Sequence, residues 1–378
     1  MTTPDQMVGK ESKERDSSIE LLRILSIILI IVHHVCIHGH WTSDYSVYSP
    51  ESFFLNCLSV GGKIGVDCFI IISGYYLIKT DRSNYLKIIR LWISMLFYSV
   101  LISLVFFTKY DYPCNSLTIF QMLTPILNDT WWFMSSFIIM LLLSPLLNKI
   151  AINIDKRTYL SFILIFTVIW SFVPTVTSLD YDCSNVLWFC LLYMIAGFIR
   201  LYPKSFNGRI WTYIMIILIC LVVTYLSIFI ICYFDSDNPL LDYITRECRL
   251  FALDRSLTIL LISLSIFLLF RNIGHFTNRA INIIASATLG IYLIHDHPLI
   301  REKIYNNLFH CVDHYGFPEM ISYCLFVTFT IYVTSLIIEL IRIYIIDRPF
   351  MDLITPFLKT AHEKYQQWLN IIAEKIKN

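Results

Sequence analysis

Long apolar runs repeated along the whole chain constrain its fold more than any single motif does. Each run approaches the twenty or so residues that a helix needs to cross the hydrocarbon core of a bilayer. The runs lie at residues 19–37, 63–80, 88–108, 131–150, 158–174, 185–201, 210–234, 254–270, 280–299 and 319–346. We therefore predict an all-α, polytopic membrane helix bundle of about ten transmembrane helices.

The composition indicates the same class of protein. Of the 378 residues, 57% are hydrophobic and 15% are charged, which excludes an ordinary soluble globule. The formal net charge is +1, so the chain has no overall basic character that would attract nucleic acid. We expect the lipid bilayer as a partner and no nucleic acid.

The positions of lysine and arginine predict the orientation. With the N-terminus inside, the inner loops and ends hold about 21 of these residues and the outer ones about 7, in line with the positive-inside rule. Both termini are therefore expected in the cytoplasm. We predict a cytoplasmic N-terminal segment at 1–18, a membrane domain at 19–350 and a cytoplasmic amphipathic tail at 351–378.

The first apolar run carries ionisable side chains, which are rare at membrane depth. Arg23 and His34 are eleven residues apart, a step that returns within about 20° of the same helix face and separates them by about 16 Å. An arginine at this depth costs about 2.5–3.5 kcal/mol, so it needs a partner or a polar cavity. Either Glu20 forms a local ion pair with Arg23, or Arg23 is a fixed cation for phosphate or amide groups that enter from the cytosol.

His34 and His295 are expected at the same depth. Each lies about fifteen residues into its span, or roughly 22 Å along the helix. A single intramembrane histidine would most simply be a core residue bonded to a carbonyl group. Two at one level, with Asp296 beside the second, indicate a polar site in the outer half. A neutral imidazole there can take a proton from a hydroxyl group.

A metal site is the alternative use of these histidines. His34 and His38 are four residues apart, a spacing that can hold zinc. No glutamate of an HExxH motif and no cysteine finger pattern accompanies them. We therefore predict no metal.

The second apolar run contains two further pairs of interest. Lys63 and Asp67 stand at i, i+4, where an ion pair at the outer interface is the simplest interpretation. Ser73 and Gly74 would let another helix backbone approach closely.

Two basic residues and one tryptophan lie at predicted interfaces. Lys87 and Arg90 stand at the cytosolic edge of the third run, where they either obey the positive-inside rule or receive a phosphorylated cofactor. The outer segments, including the one before Trp132, are rich in aromatic and polar side chains. Such side chains suit sugar contacts and also the aromatic belt of any membrane protein.

Four segments in a fixed order resemble the acyltransferase 3 family of integral-membrane acyltransferases. They read ELLRILSIILIIVHH, GVDCFIIISGYYL, WWFMSSFIIMLLLSPLL and LGIYLIH. The likeness is closest in style to bacterial surface-polysaccharide O-acetyltransferases and covers about residues 19–350, the predicted acyltransferase membrane domain.

The resemblance implies an enzyme of the bacterial cytoplasmic membrane that moves an acyl group, most simply from cytosolic acetyl-CoA, to a hydroxyl group. The acceptor would be a surface glycan or glycolipid at the outer side. By this resemblance the catalytic residues are His34 and Arg23, and the residues that bind the acyl-CoA are Arg23, Ser73, Gly74, Tyr75, Lys87 and Arg90. We assign the acceptor contacts to Asp67, Trp132 and His295.

Two questions stay open at this point. His34 either acts as a general base or carries the acyl group covalently. The rival class is a membrane transporter, exporter or flippase, in which buried Arg and His side chains would serve as a relay.

Overall fold

Helices account for all the regular secondary structure of the described residues, as the apolar runs predict. The structure, a computed structural model, describes residues 15–41, 49–80, 85–110, 112–177, 179, 181–233 and 250–377. Most of the predicted N-terminal segment 1–18 lies outside these residues. The all-α fold class is confirmed.

Fifteen α-helices follow one another in the described part of the chain. They are α1 (Ser17–His38), α2 (Pro50–Leu77), α3 (Tyr85–Lys109), α4 (Ser116–Leu123), α5 (Trp132–Asn153), α6 (Lys156–Thr167), α7 (Val173–Val176), α8 (Asn185–Leu201), α9 (Ile210–Tyr233), α10 (Leu257–Asn272), α11 (Arg279–Ser286), α12 (Thr288–His295), α13 (Pro298–Glu302), α14 (Glu319–Arg342) and α15 (Arg348–Lys377). Single π-helical turns lie at Val168–Phe172, Lys303–Leu308 and Ile343–Asp347.

Seven helical segments among the described residues are long and apolar enough to cross a membrane, and the count is eight if the bent pair α11–α13 forms one span. The other two predicted spans correspond to α8 and α10, which are apolar but only 17 and 16 residues long. The protein is therefore a multi-pass membrane protein.

Local sequence explains where the first two helices begin. The Asp16 side chain accepts a hydrogen bond from the backbone N–H of Ser18 and so caps α1. Ser49 caps α2 in the same way, and Pro50 follows it at the first helical position, where its missing N–H costs nothing. These caps fix the starts of the two helices that form the centre of the bundle.

Glycines let α2 pack closely on both of its neighbours. A Cβ on Gly65 would lie 2.6 Å from the carbonyl oxygen of Ser26 in α1, and one on Gly74 would lie 2.7 Å from the carbonyl oxygen of Tyr193 in α8. Neither position tolerates a larger side chain without a shift of backbone. Gly74 thus has the packing role that the sequence indicates for it.

A sharp bend follows α12. This helix ends at His295 and α13 begins at Pro298, and the two segments differ in direction by 74°. Proline has no backbone N–H and cannot continue the preceding helix. The bend leaves Asp296 and His297 in non-helical conformation between two buried segments.

The C-terminal helix differs from its predicted bounds. It begins at Arg348 and contains Pro356, whereas the sequence predicts the tail from residue 351. Phe357 and Trp368 expose most of their apolar surface. The ring of His362 stacks on Tyr85 of α3 with centroids 3.7 Å apart, so the tail is attached to the start of that helix.

Gly74→Ala is expected to destabilise the bundle by about 1–3 kcal/mol, because the new methyl group would overlap the Tyr193 backbone. Gly61→Ala is the matched control, since its Cβ would meet only a Leu29 side chain, at 3.1 Å. Thermal denaturation of the purified protein in detergent should show a lower melting temperature for Gly74→Ala alone. A Gly74→Ala variant that melts with the parent would contradict the close packing of α2 on α8.

Candidate active site

His34 and His295 are joined by a hydrogen bond inside the bundle. Nδ1 of His34 lies 3.0 Å from Nε2 of His295, and Nδ1 of His295 lies 2.6 Å from the carbonyl oxygen of Ile291. A carbonyl oxygen only accepts, so Nδ1 of His295 carries the proton and its Nε2 is the acceptor in the neutral ring. Nδ1 of His34 must then donate. Nε2 of His34 is left with its lone pair, and no described residue bonds to it.

Asp296 adds a charge to this pair. Its Oδ1 accepts a hydrogen bond from Nη2 of Arg301 at 2.7 Å and lies 3.5 Å from Nδ1 of His34. The residue is only 1% exposed, and its Oδ2 has no hydrogen-bond partner among the described residues. The carboxylate and Arg301 largely compensate each other's charge next to His34.

A cavity of about 510 Å³ runs along α1 past this site. Its lining includes Arg23, near the start of the helix, and His38, the last helical residue. The volume lies in the range of about 300–1,000 Å³ typical of small-molecule sites. Because α1 is unbroken, the Cα atoms of Arg23 and His34 are about 16 Å apart, as the sequence predicts.

Two cations line the part of the cavity near the start of α1. Arg23 lies 3.8 Å from Glu20, which is too far for a hydrogen bond, and its buried Nε has no partner within the described residues. Lys87 has its Nζ 5.9 Å from the centroid of the Phe137 ring and no carboxylate at ion-pair distance in the described part of the chain. With two cations and Glu20 as the neighbouring acidic group, this end of the cavity has a net positive charge.

The rest of the cavity lining combines acidic, basic, amide and aromatic groups. Asp67 is buried and accepts a hydrogen bond from Nε1 of Trp188 at 3.0 Å. The predicted Lys63–Asp67 ion pair is wrong: Nζ of Lys63 bonds instead to Asp254 at 2.9 Å and to the Ala252 carbonyl at 2.8 Å. The long Lys63 side chain reaches the loop before α10 and binds there instead of pairing with Asp67 on its own helix.

Some residues assigned to the acyl-CoA by resemblance lie elsewhere. Gly74 packs against α8, and Tyr75 accepts a hydrogen bond from Arg200 at 3.1 Å. Arg90 is hydrogen-bonded to Asp347. Those three do not line the cavity, whereas Arg23, Ser73 and Lys87 do.

The residues assigned to the acceptor divide in the same way. Trp132 lines the cavity and is 38% exposed, and Asp67 lines it from α2. His295 is fully buried and uses both ring nitrogens in hydrogen bonds within the protein. Its ring therefore has no nitrogen left for a substrate, which corrects the predicted contact with the acceptor.

Comparison with protein-family models identifies the family of the chain that forms this cavity. The model, described as an acyltransferase domain, matches residues 16–339. The chain belongs to the acyltransferase 3 family. No curated protein and no solved structure matches it. The cavity-lining residues of this acyltransferase all fall inside the matched part, between Arg23 and Arg301.

Several site residues of the acyltransferase were not singled out from the sequence. Arg301 lies just after the apolar run 280–299, and Asn185 and Trp188 lie within the run 185–201, with no motif that marks them. Arg301 stands five residues after Asp296, a spacing that becomes a contact only because the chain bends between them. The short spacing of Asp296 and Arg301 is a weak sequence indication of their contact. No sequence pattern indicates the hydrogen bond between Trp188 and Asp67, which are far apart in the chain.

Proposed function

We propose that this acyltransferase is an acyl-CoA-dependent O-acyltransferase of the bacterial cytoplasmic membrane. Acetyl-CoA is the proposed donor, and a hydroxyl group of a surface glycan or glycolipid is the proposed acceptor. One observation carries the proposal: a single cavity is lined by the cations Arg23 and Lys87 and by His34, whose Nε2 has no hydrogen-bond partner among the described residues.

The chemistry follows from the protonation of His34. The acceptor hydroxyl oxygen attacks the thioester carbonyl carbon while Nε2 of His34 takes the hydroxyl proton. The carbon–sulfur bond then breaks, and the proton passes from His34 to the leaving thiolate, giving an ester and a free thiol. A covalent route would use the same nitrogen as the nucleophile. Both routes need the lone pair that the hydrogen bond to His295 leaves on Nε2.

In this proposal the cations near the start of α1 receive the cofactor. Arg23 offers a planar fork of donors for phosphate or amide oxygens, and Lys87 offers a compact point charge. Both line the cavity, and Glu20 is the one carboxylate of the described residues within 4 Å of Arg23. The positive-inside prediction puts this end on the cytosolic side, where acyl-CoA is available.

His295 is proposed as a positioning residue. Its bond to the Ile291 carbonyl fixes its own tautomer, and its bond to His34 then fixes that of His34. Asp296, 3.5 Å from the same Nδ1, stabilises the imidazolium that forms when His34 takes the proton.

The acceptor is proposed to bind between Asp67 and Trp132. A carboxylate accepts hydrogen bonds from sugar hydroxyl groups, and an aromatic ring packs against the apolar face of a sugar. Oδ2 of Asp67 is buried and has no hydrogen-bond partner among the described residues, so the carboxylate would turn toward the cavity to accept such a bond. Membership of the acyltransferase family favours this enzyme over the transporter alternative.

Removal of the cavity cations is expected to weaken the use of acetyl-CoA. Arg23→Ala and Lys87→Gln should each raise KM by about 10–100-fold, the equivalent of one lost charged hydrogen bond. Arg23→Lys should recover part of the loss, because the charge stays but the fork is gone. Steady-state kinetics with detergent-purified protein measure the effect.

Arg90→Gln is the matched control for these cations. It removes a cation from the same helix as Lys87, but one that is bonded to Asp347 outside the cavity. It should lower the melting temperature and leave KM unchanged. A parent-like KM in Arg23→Ala, or a larger KM change in Arg90→Gln than in Lys87→Gln, would contradict the cofactor assignment.

The two adjacent histidines give the test of the base. His34→Ala should reduce acyl transfer by about 10²–10⁴-fold, and His34→Gln nearly as much, because an amide cannot take up and return a proton. His33→Ala should cost much less, since Nδ1 of His33 donates to the Ser59 carbonyl at 2.6 Å and so links α1 to α2. Acetyl transfer and melting temperature are measured together. Activity of His34→Ala within a few-fold of the parent, or loss confined to His33→Ala, would refute the assignment.

A further inference from the structure

A second set of contacts around His34 brings together three possible metal ligands. His34 and His38 lie one turn apart on α1, with ring centroids 5.5 Å apart, and Asp296 approaches them from the bend after α12. One ligand atom from each of the three lies within 4.8 Å of the other two. The proposed acyl transfer makes no use of His38.

The donor atoms needed for a metal are available. In the described residues, neither ring nitrogen of His38 has a hydrogen-bond partner. Arg301 occupies Oδ1 of Asp296. Oδ2 is buried near the Tyr292 hydroxyl group and has no hydrogen bond of normal geometry among the described residues. All three side chains line the cavity, and the buried Oδ2 of Asp296 must turn toward it to contact an ion.

We propose that His34, His38 and Asp296 form a binding site for a divalent first-row metal ion, best suited to Zn²⁺. Two imidazoles and one carboxylate are ligands that zinc accepts, and they leave a fourth position for water. Tetrahedral bonds of about 2.0–2.1 Å put ligand atoms about 3.3 Å apart. The three ligand atoms lie at most 4.8 Å apart, so the widest separation must shorten by up to about 1.5 Å. His38 allows this because no described residue is hydrogen-bonded to its ring.

Metal binding and proton transfer at His34 exclude each other. If the ion takes Nε2, the lone pair of the base is occupied. If it takes Nδ1, the ring proton moves to Nε2, which becomes a donor. In both cases no nitrogen of His34 can accept a proton, so the ion is an inhibitor. This consequence rests on the proposed function, whereas the site itself does not.

Binding of Co²⁺ tests the site without reference to activity. Co²⁺ is the probe because its visible absorption changes when nitrogen ligands bind it. The full-length protein in detergent should bind one Co²⁺ per chain, and competition with Zn²⁺ should remove the band. His38→Asn and Asp296→Asn should each weaken binding by at least about tenfold, since even outer-shell changes cost 10–100-fold. His33→Asn, the neighbouring control, should bind like the parent.

Acetyl transfer in the presence of Zn²⁺ tests the consequence. Zn²⁺ should block the parent, a chelator should restore it, and His38→Asn should keep the basal rate but lose most of the inhibition. Absence of a Co²⁺ band in the parent, or parent-like affinity in His38→Asn, would overturn the site. A metal-binding protein that transfers no acyl group under any condition would instead refute the proposed function and leave the site standing.

Discussion

The hydrogen bond between His34 and His295 is the interaction on which the candidate site depends. It joins the first helix of the bundle to a helix more than 250 residues later, and it leaves Nε2 of His34 as the free basic nitrogen. Because the Ile291 carbonyl oxygen can only accept, it fixes which nitrogen donates in both hydrogen bonds. The tautomer of His34 is therefore set by a carbonyl group that His34 itself does not contact.

Several buried ionisable groups of the bundle form networks with one another. At α14, Glu339 accepts two hydrogen bonds from Arg342 and one from Tyr98, and Asp347 lies 3.5 Å from Arg342 and bonds to Arg90. Unpaired charges in the membrane cost several kcal/mol, so such networks are expected where function does not require otherwise. Arg23 and Lys87 depart from this rule, because no carboxylate among the described residues is hydrogen-bonded to either of them, and this makes them good candidates for ligand binding.

The fold and part of the site could be predicted from the sequence because both follow from the fixed dimensions of a helix. A run of about twenty apolar residues spans a bilayer, and a rise of about 1.5 Å per residue predicts His34 and His295 at the same depth. Pairings that depend on tertiary packing could not be predicted. Lys63 was assigned to its helical neighbour, whereas the loop before α10 supplies its partner. Likewise, no local pattern distinguishes Lys87 in the cavity from Arg90 outside it.

Thioester cleavage is the most direct test of the central claim, that this buried histidine pair performs acyl transfer. Purified full-length protein in detergent is incubated with acetyl-CoA labelled in the acetyl group, with and without a glycan acceptor. The account predicts the release of free CoA thiol, with the label recovered as an ester of the acceptor or on the protein itself. Acetyl-CoA that stays intact in the presence of folded protein and acceptor would contradict it, as expected of a protein that only transports.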